Sequence, residues 1–283
     1  MLVTLKKVLE YAEKNKVAIG SFNTPNLESL RAVIEASEQL KQPVIVQFAQ
    51  CHESLTPLKI IGPIMVALAK SAKVDVCVHL DHGETLKYLK QALEIGFTSI
   101  MYDGSNLKYE ENVLNTIKAV EMAHKYGASV EAELGSMGAR ESGSSESIND
   151  TTKIYTDPLL SKDFIERTKI DALACSFGTV HGIYLTKPQL DFNIVREIRE
   201  INNLIPIVMH GGSGVSKEDY FKAIEAGVRK INYFTYMDLA GGSFIKEIDL
   251  TKNVYFSNIS LEAKEKMKLD VIRAMTLFAR REK

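Results

Sequence analysis

The sequence predicts an α/β protein of a single domain, residues 1–283: a closed (β/α)8 (TIM) barrel with extra N- and C-terminal helices. Three observations lead there. Strand-like and helix-like stretches alternate eight times. The strand-like stretches are near-continuous apolar runs, as expected of parallel strands covered on both faces. The first of them ends in Asn23-Thr24-Pro25-Asn26, which is not the glycine-rich turn of an open dinucleotide-binding sheet, whereas eight right-handed crossovers suffice to close a barrel.

Met1 to Asn15 carries Leu2, Leu5, Val8, Leu9 and Ala12 on one side, the spacing of an amphipathic helix. Strands follow over Val17 to Phe22, Pro43 to Ala49, Val74 to Leu80, Thr98 to Tyr102, Ser129 to Leu134, Ala172 to Phe177, Ile205 to Met209 and Val228 to Tyr233. Helices lie between them: Leu27 to Leu40, Pro57 to Ser71, Thr85 to Ile95, Tyr109 to Tyr126, Pro158 to Thr168, Phe192 to Asn202 and Lys217 to Ala226. Gly96, Gly127 and Gly227 stop three of these helices, and Asp157-Pro158 starts another. Asp238 to Lys283 is mostly helical and charged. One segment breaks the rhythm. Gly135 to Thr156 is rich in Gly, Ser, Asp and Asn, and a polar stretch of that length inside a compact domain reads as a mobile or functional loop.

Composition narrows the function. With 283 residues, 45% hydrophobic and 25% charged, the chain can bury a large core without disulfides. A formal charge of −1 gives no electrostatic reason for a nucleic acid or an anionic membrane as partner. Cys51, Cys77 and Cys175 are odd in number and widely spaced, and the last two sit in strand-like runs, which suits core thiols in a reducing compartment. The N-terminus lacks a signal-peptide pattern, and the apolar stretch at Ile60 to Ala69 is too short to span a bilayer. The expectation is a cytoplasmic protein.

The chemistry gathers at strand ends, which meet at one mouth in a barrel. Leu80-Asp81-His82-Gly83, Thr179-Val180-His181-Gly182 and His210-Gly211-Gly212-Ser213-Gly214 each place a His next to a Gly at the end of a strand. Three imidazoles with an open position suit a catalytic zinc. Asp81, beside His82, is placed to move a proton. His79 shares the strand direction of Asp81 and reads as a hydrogen-bonded residue of the barrel interior, while His52 and His124 read as surface or local residues. The Gly211-Gly212-Ser213-Gly214 loop and the stretch Asn232 to Thr235 follow the last two strands, where many barrels bind phosphate through main-chain N–H groups. Glu131 and Glu133 alternate along one strand and point inward together. Glu131 reads as half of an internal salt bridge. Glu133 reads as a second metal position or as a hydrogen-bond partner of a ligand. Asp103, before Gly104-Ser105, reads equally as an acid of the site or as a turn cap.

Together these residues resemble the class II, metal-dependent ketose-bisphosphate aldolases, in particular the tagatose-bisphosphate and short fructose-bisphosphate aldolases. The likeness covers nearly the whole chain. It rests on Phe22-Asn23, Leu80 to Gly83, Met101-Tyr102-Asp103-Gly104-Ser105, Val130 to Gly135, Phe177 to Gly182, His210 to Gly214, and Asn232 with Thr235. The resemblance implies that His82, His181 and His210 hold Zn2+, with Glu133 near a mobile zinc position. It implies that Asp81 is the acid/base at the aldehyde oxygen and that Glu141 moves the proton at the carbon nucleophile. It implies that Gly182, Gly211, Gly212, Ser213, Asn232, Tyr233, Phe234 and Thr235 hold dihydroxyacetone phosphate, with Asn23 among the substrate-binding positions. A monovalent cation (Na+ or K+) near the phosphate and a homodimer or higher homo-oligomer follow from the same likeness.

The chain departs from the family pattern at named positions. Ala49 replaces a common Ser that helps hold phosphate, Gly138-Ala139-Arg140 alters the approach to the loop acid, and Phe234 and Tyr236 replace small or acidic residues around the aldehyde pocket. The implied reaction is reversible cleavage of a phosphorylated ketose, with tagatose or fructose 1,6-bisphosphate as the first substrates to try. A sugar-phosphate isomerase or epimerase on the same scaffold, and a phosphosugar-binding protein that has lost activity, are the alternatives. The presence of both Asp81 and Glu141 argues against each.

Overall fold

The computed structural model describes residues 1–135, 155–184, 188–249 and 251–281. Among them the eight alternating strands are β2 (Ile19–Asn23), β3 (Val44–Ala49), β4 (Val76–Gly83), β5 (Ser99–Tyr102), β6 (Ser129–Leu134), β7 (Ala172–Cys175), β8 (Ile207–Met209) and β9 (Val228–Tyr233). All pair in parallel, and the β2–β9 and β4–β5 pairings close the ring. The connecting helices are α2 (Leu27–Leu40), α3 (Leu58–Ser71), α4 (Leu86–Ile95), α5 (Tyr109–Lys125), α6 (Pro158–Thr168), α7 (Phe192–Ile201) and α8 (Lys217–Ala226). They start and stop where local chemistry dictates. Asn26 and Ser29 form a reciprocal capping box on α2, Asp157 caps α6 ahead of Pro158, and Gly96 ends α4 in the left-handed conformation.

The N-terminus differs from the expected helix. Leu2–Val3 is a short strand, β1, which pairs with Val76 and Cys77 of β4 below the point where β5 takes over. Only then does α1 (Leu5–Asn15) begin, capped by Thr4. Its apolar face, Leu5, Val8, Leu9 and Ala12, seals the bottom of the barrel against Ile19, Ile45, Cys77, Ala172, Ala174 and Val208. At the C-terminus, α9 (Thr235–Ser243) and α10 (Phe256–Phe278) cover the β2–β9 side. The rings of Phe22, Tyr233, Tyr220 and Phe278 pack edge to face there.

A larger apolar layer lies between strands and helices, formed by the outward residues of each strand, such as Val44, Val46 and Phe48 of β3. The inward residues change character along the axis. Above the apolar bottom layer sit Ser21, Gln47, His79, Ser99, Glu131 and Lys230, all fully buried. Above them, at the C-terminal ends of the strands, come Asn23, Asp81, Glu133, His210 and Asn232. No helix among the described residues is long and apolar enough to cross a membrane.

Candidate functional site

Asp81 and His82 lie inside β4 rather than after it. Neighbours on a regular strand face opposite sides, so the pair needs a local irregularity to face one site. The structure supplies it. Between Leu80↔Ile100 and Gly83↔Tyr102 the register slips by one residue, and His82 takes φ 46°, the left-handed region that side chains rarely adopt. The bulge turns both functional groups to the mouth, at a strain of about 1–3 kcal/mol. Gly83 permits it: a Cβ there would lie 2.4 Å from Leu89 Cδ1 and 2.9 Å from the Met101 carbonyl oxygen.

The three predicted imidazoles converge. Ring centroids of His82 lie 4.7 Å from those of His210 and 5.1 Å from those of His181, and the last two are 5.5 Å apart. One ring nitrogen of each falls within 4.8 Å of the others, and His82, Asp103 and Glu133 form a second such cluster. Carboxylates fix which nitrogen faces inward. His82 Nδ1 donates to Asp103 Oδ2 at 2.8 Å, and His210 Nε2 donates to Glu131 Oε1 at 2.9 Å. His82 Nε2 and His210 Nδ1 are thereby the nitrogens turned toward the other rings. Asp103 also caps its own turn through Ser105, so both of its expected roles hold.

The electrostatics call for a cation. Burial would lower the His82 pKa, yet the Asp81 charge and the Asp103 hydrogen bond raise it to about 10. Burial, together with the charge of Asp103, pushes Glu133 up to about 8. His210 is driven well below its usual range by burial and by the charge of His82, which leaves a neutral imidazole. Among the described residues Glu133 Oε2 and His210 Nδ1, 3.7 Å apart, are buried and lack a hydrogen-bond partner. A metal ion held by imidazole nitrogens beside a carboxylate satisfies these atoms, so the residues fit one.

Asp81 is held for a different purpose. Burial would raise its pKa, but the charges of His82 and Lys230 bring it down to about 2, so it is ionised. Three amides orient it: Gln47 Nε2 at 2.9 Å and Asn23 Nδ2 at 3.3 Å on Oδ2, and Asn232 Nδ2 at 3.2 Å on Oδ1. Gln47 is in turn fixed by a hydrogen bond from the Ser21 hydroxyl. Sequence reasoning passed over Gln47. The available signal was a polar residue at an inward position, two after Ile45, in an otherwise apolar strand. Lys230 was also missed; its ammonium lies 2.8 Å from Glu131 Oε2 beneath the imidazoles, so Glu131 does form the expected internal salt bridge. His79 hydrogen-bonds Ser99 inside the barrel, as its position suggested.

The loops after β7, β8 and β9 are laced together. Tyr184 Oη donates to the Gly211 carbonyl at 2.8 Å and accepts from Val180 N–H, while Gly212 N–H donates to the Asn232 carbonyl at 3.0 Å. Gly211 (φ 62°) admits no side chain, since a Cβ would meet the Val180 oxygen at 2.2 Å. Gly182 is also left-handed, at φ 92°. Ser213 Oγ accepts from Phe234 N–H at 3.2 Å, and Thr235 opens α9. A Gly-rich loop thus lies beside a helix N-terminus, at the corner where many barrels bind phosphate. Tyr233 does not share it: its ring packs outside the barrel and its hydroxyl donates to Asp270, leaving only its main chain near the mouth. His52 also departs from expectation. It is 4% exposed, packed 4.9 Å from the Phe234 ring. His124 is exposed on α5. Glu141, with Gly138-Ala139-Arg140, lies outside the described residues.

Comparison with known proteins agrees with this geometry. A family model described as class-II fructose-bisphosphate aldolase matches residues 3–283. A fructose-bisphosphate aldolase of Staphylococcus aureus is 38% identical over 260 residues, covering 90% of this chain and 88% of the relative. A probable fructose-bisphosphate aldolase of Bacillus subtilis is 38% identical over 87% of this chain and 86% of its own. The crystal structure of the YdjI aldolase from Escherichia coli K12 superposes with a TM-score of 0.87 at 34% identity, covering 98% of this chain and 97% of that one. With the closed parallel barrel, the imidazole cluster and a match over almost its full length, this chain belongs to the class-II fructose-bisphosphate aldolase family.

Proposed function

We propose that the protein reversibly cleaves a phosphorylated ketose to dihydroxyacetone phosphate and an aldehyde, with Zn2+ held by His82, His181 and His210 and with Glu133 beside it. Tagatose and fructose 1,6-bisphosphate are the first substrates to try, and a related ketose phosphate the next. The observation that carries this reading is an ionised Asp81, oriented by three amides, directly adjacent in the chain to an imidazole of the cluster.

A bound zinc supplies Lewis acidity that stabilises the enediolate charge left when the carbon–carbon bond breaks. The chain's own groups do the rest. Asp81 takes the proton of the hydroxyl that becomes the aldehyde oxygen, a positioned-base effect of about 10²–10⁴-fold. Gly182, Gly211 and Ser213, with Asn232 and Thr235, hold the phosphate through main-chain N–H and hydroxyl donors, while the Gly212 and Phe234 N–H groups, already taken by the Asn232 carbonyl and Ser213 Oγ, shape the loop around it. Glu141 returns a proton to the enediolate carbon. A monovalent cation beside the phosphate, a cytoplasmic location, and association into a dimer or higher homo-oligomer belong to the same reading.

A coupled assay for dihydroxyacetone phosphate across ketose mono- and bisphosphates tests it. Chelation abolishes cleavage, zinc restores it, and borohydride with substrate traps no covalent adduct. Full activity in metal-free protein refutes the proposal.

A further inference from the structure

The imidazole of His52 has no part in the site as described so far. It lies in the short helical turn Gln50–Ser54 after β3, and Phe234 follows β9. In the sheet those two strands are separated by β2. Next-but-one strands stand about 9–10 Å apart, yet the two ring centroids are 4.9 Å apart. The rings therefore lean together over the end of β2, above Asn23, which holds Asp81. The charge of Asp81 reaches the His52 ring.

The polar neighbours of His52 have other duties. Gln50 Oε1 accepts from Glu84 N–H, and Glu53 Oε2 accepts from Leu58 N–H and from the Tyr88 hydroxyl. Among the described residues His52 Nδ1 is buried and lacks a hydrogen-bond partner, an arrangement that is costly to leave unmade. Burial holds the imidazole below its usual pKa range despite the pull of Asp81, so the ring is neutral, with one donor and one acceptor. That pairing matches a hydroxyl and does not match a phosphate dianion.

Resting on the aldolase reading, we propose that His52 is a specificity-determining residue for the aldehyde half of the substrate, its imidazole hydrogen-bonding the hydroxyl next to the aldehyde carbon while Phe234 walls the same pocket. In that reading the aldehyde oxygen forms at Asp81, which Asn23 holds at the end of β2 and whose charge is felt at His52, so this pair of rings is close to the new aldehyde. Phe234 is partly exposed and its ring lies against the imidazole.

The test runs the zinc-loaded protein in the condensation direction, with dihydroxyacetone phosphate and either glycolaldehyde or propanal, which replaces the hydroxyl by a methyl. The expected wild-type preference in kcat/KM for glycolaldehyde is about tenfold or more. His52→Leu removes most of that preference, with the loss concentrated in KM for glycolaldehyde. His52→Asn, which keeps a polar atom near the Nδ1 position, retains it. Should the Leu variant fail to fold, His52→Gln, with its polar end displaced, shows the same loss of preference. An unchanged ratio in His52→Leu, or equal losses on both aldehydes, overturns the inference. Solvent exchange of the dihydroxyacetone phosphate C–H proton, followed by NMR, separates the two levels. Exchange by the wild type together with an unmoved ratio defeats the role of His52 alone, whereas absence of exchange and of condensation defeats the aldolase reading and this inference with it.

Discussion

Gln47→Leu isolates the orientation of the proposed base from its identity. The substitution keeps the inward side chain and its approximate volume, and deletes the 2.9 Å hydrogen bond to Asp81 Oδ2. That oxygen retains only the longer 3.3 Å contact from Asn23, and the Ser21 hydroxyl loses its acceptor on Gln47. A hydrogen bond to a charged group contributes about 1.5–3 kcal/mol. If that amount is lost from the transition state, where the carboxylate must point at one hydroxyl, kcat falls about 10–150-fold. The same loss moves the Asp81 pKa up from about 2 by about 1–2 units. The carboxylate stays ionised at pH 7, so the defect there is one of aim, while the acid limb of the pH–rate profile shifts upward. Steady-state kinetics between pH 3 and 8, with thermal melting at each pH as a folding control, measures both effects. A variant that folds, keeps kcat within twofold and shows an unmoved acid limb refutes the assignment of Gln47 as the residue that orients Asp81.

Three further outcomes follow from the geometry. His181→Ala should lower bound zinc to substoichiometric levels by elemental analysis and abolish the rise in melting temperature that zinc gives the wild type, since only two imidazoles of the cluster remain. Gly83→Ala should lose about 1–3 kcal/mol by overpacking, because the new methyl meets Leu89 and the Met101 carbonyl, and zinc affinity should fall with it as His82 is displaced. Glu13 bridges Arg199 and Arg229 at the base of the barrel; burial would raise its pKa, but the hydrogen bonds from the two guanidinium groups lower it overall. A lowered folded-state pKa adds stability above the unfolded value of about 4.3 and loses it as pH falls below that value. Denaturant titrations should therefore show the gap between wild type and Glu13→Gln present at pH 7 and closing toward pH 3. A gap that persists at pH 3 counts against the ion pair as its cause.

The alternation of apolar strands and capped helices made the barrel legible, because each crossover writes its own local signal. The three imidazoles were legible because a polar residue at the end of a buried strand stands out. What stayed hidden depends on distances between strands that no local pattern encodes. Gln47 goes unremarked in the apolar run of β3, and its meaning comes from Asp81 on the neighbouring strand. The bulge at His82 was invisible because it is a register slip between β4 and β5. Tyr233 is named among the substrate residues by the resemblance alone, and strand alternation turns its ring outward to α10, leaving its main chain near the mouth. His52 was read as local because a 3-10 turn gives no burial pattern.

The charge pattern gives the strongest physical reason for a cation at this mouth. Asp81, Asp103, Glu131 and Glu133 are brought together near the top of one barrel, and Lys230 neutralises only Glu131 at close range. Without a metal, the remaining negative field is met by protons: it raises His82 to about 10, and Asp103 and the neighbouring carboxylates help push Glu133 to about 8. A buried site that holds protons so firmly near neutrality is one where a dication competes well, because it replaces the proton on His82 and lets Glu133 ionise. The bottom and middle of the barrel make this possible. The apolar plug under α1 keeps water out from below, and the Ser99–His79 and Lys230–Glu131–His210 contacts fix the imidazoles from beneath. Metal uptake by this protein should therefore release protons, in a number that falls as pH rises past the His82 and Glu133 values, and isothermal titration calorimetry in buffers of different ionisation enthalpy measures that number directly. Zinc binding with no proton release at pH 7 would show that these carboxylates are not what draws the metal in.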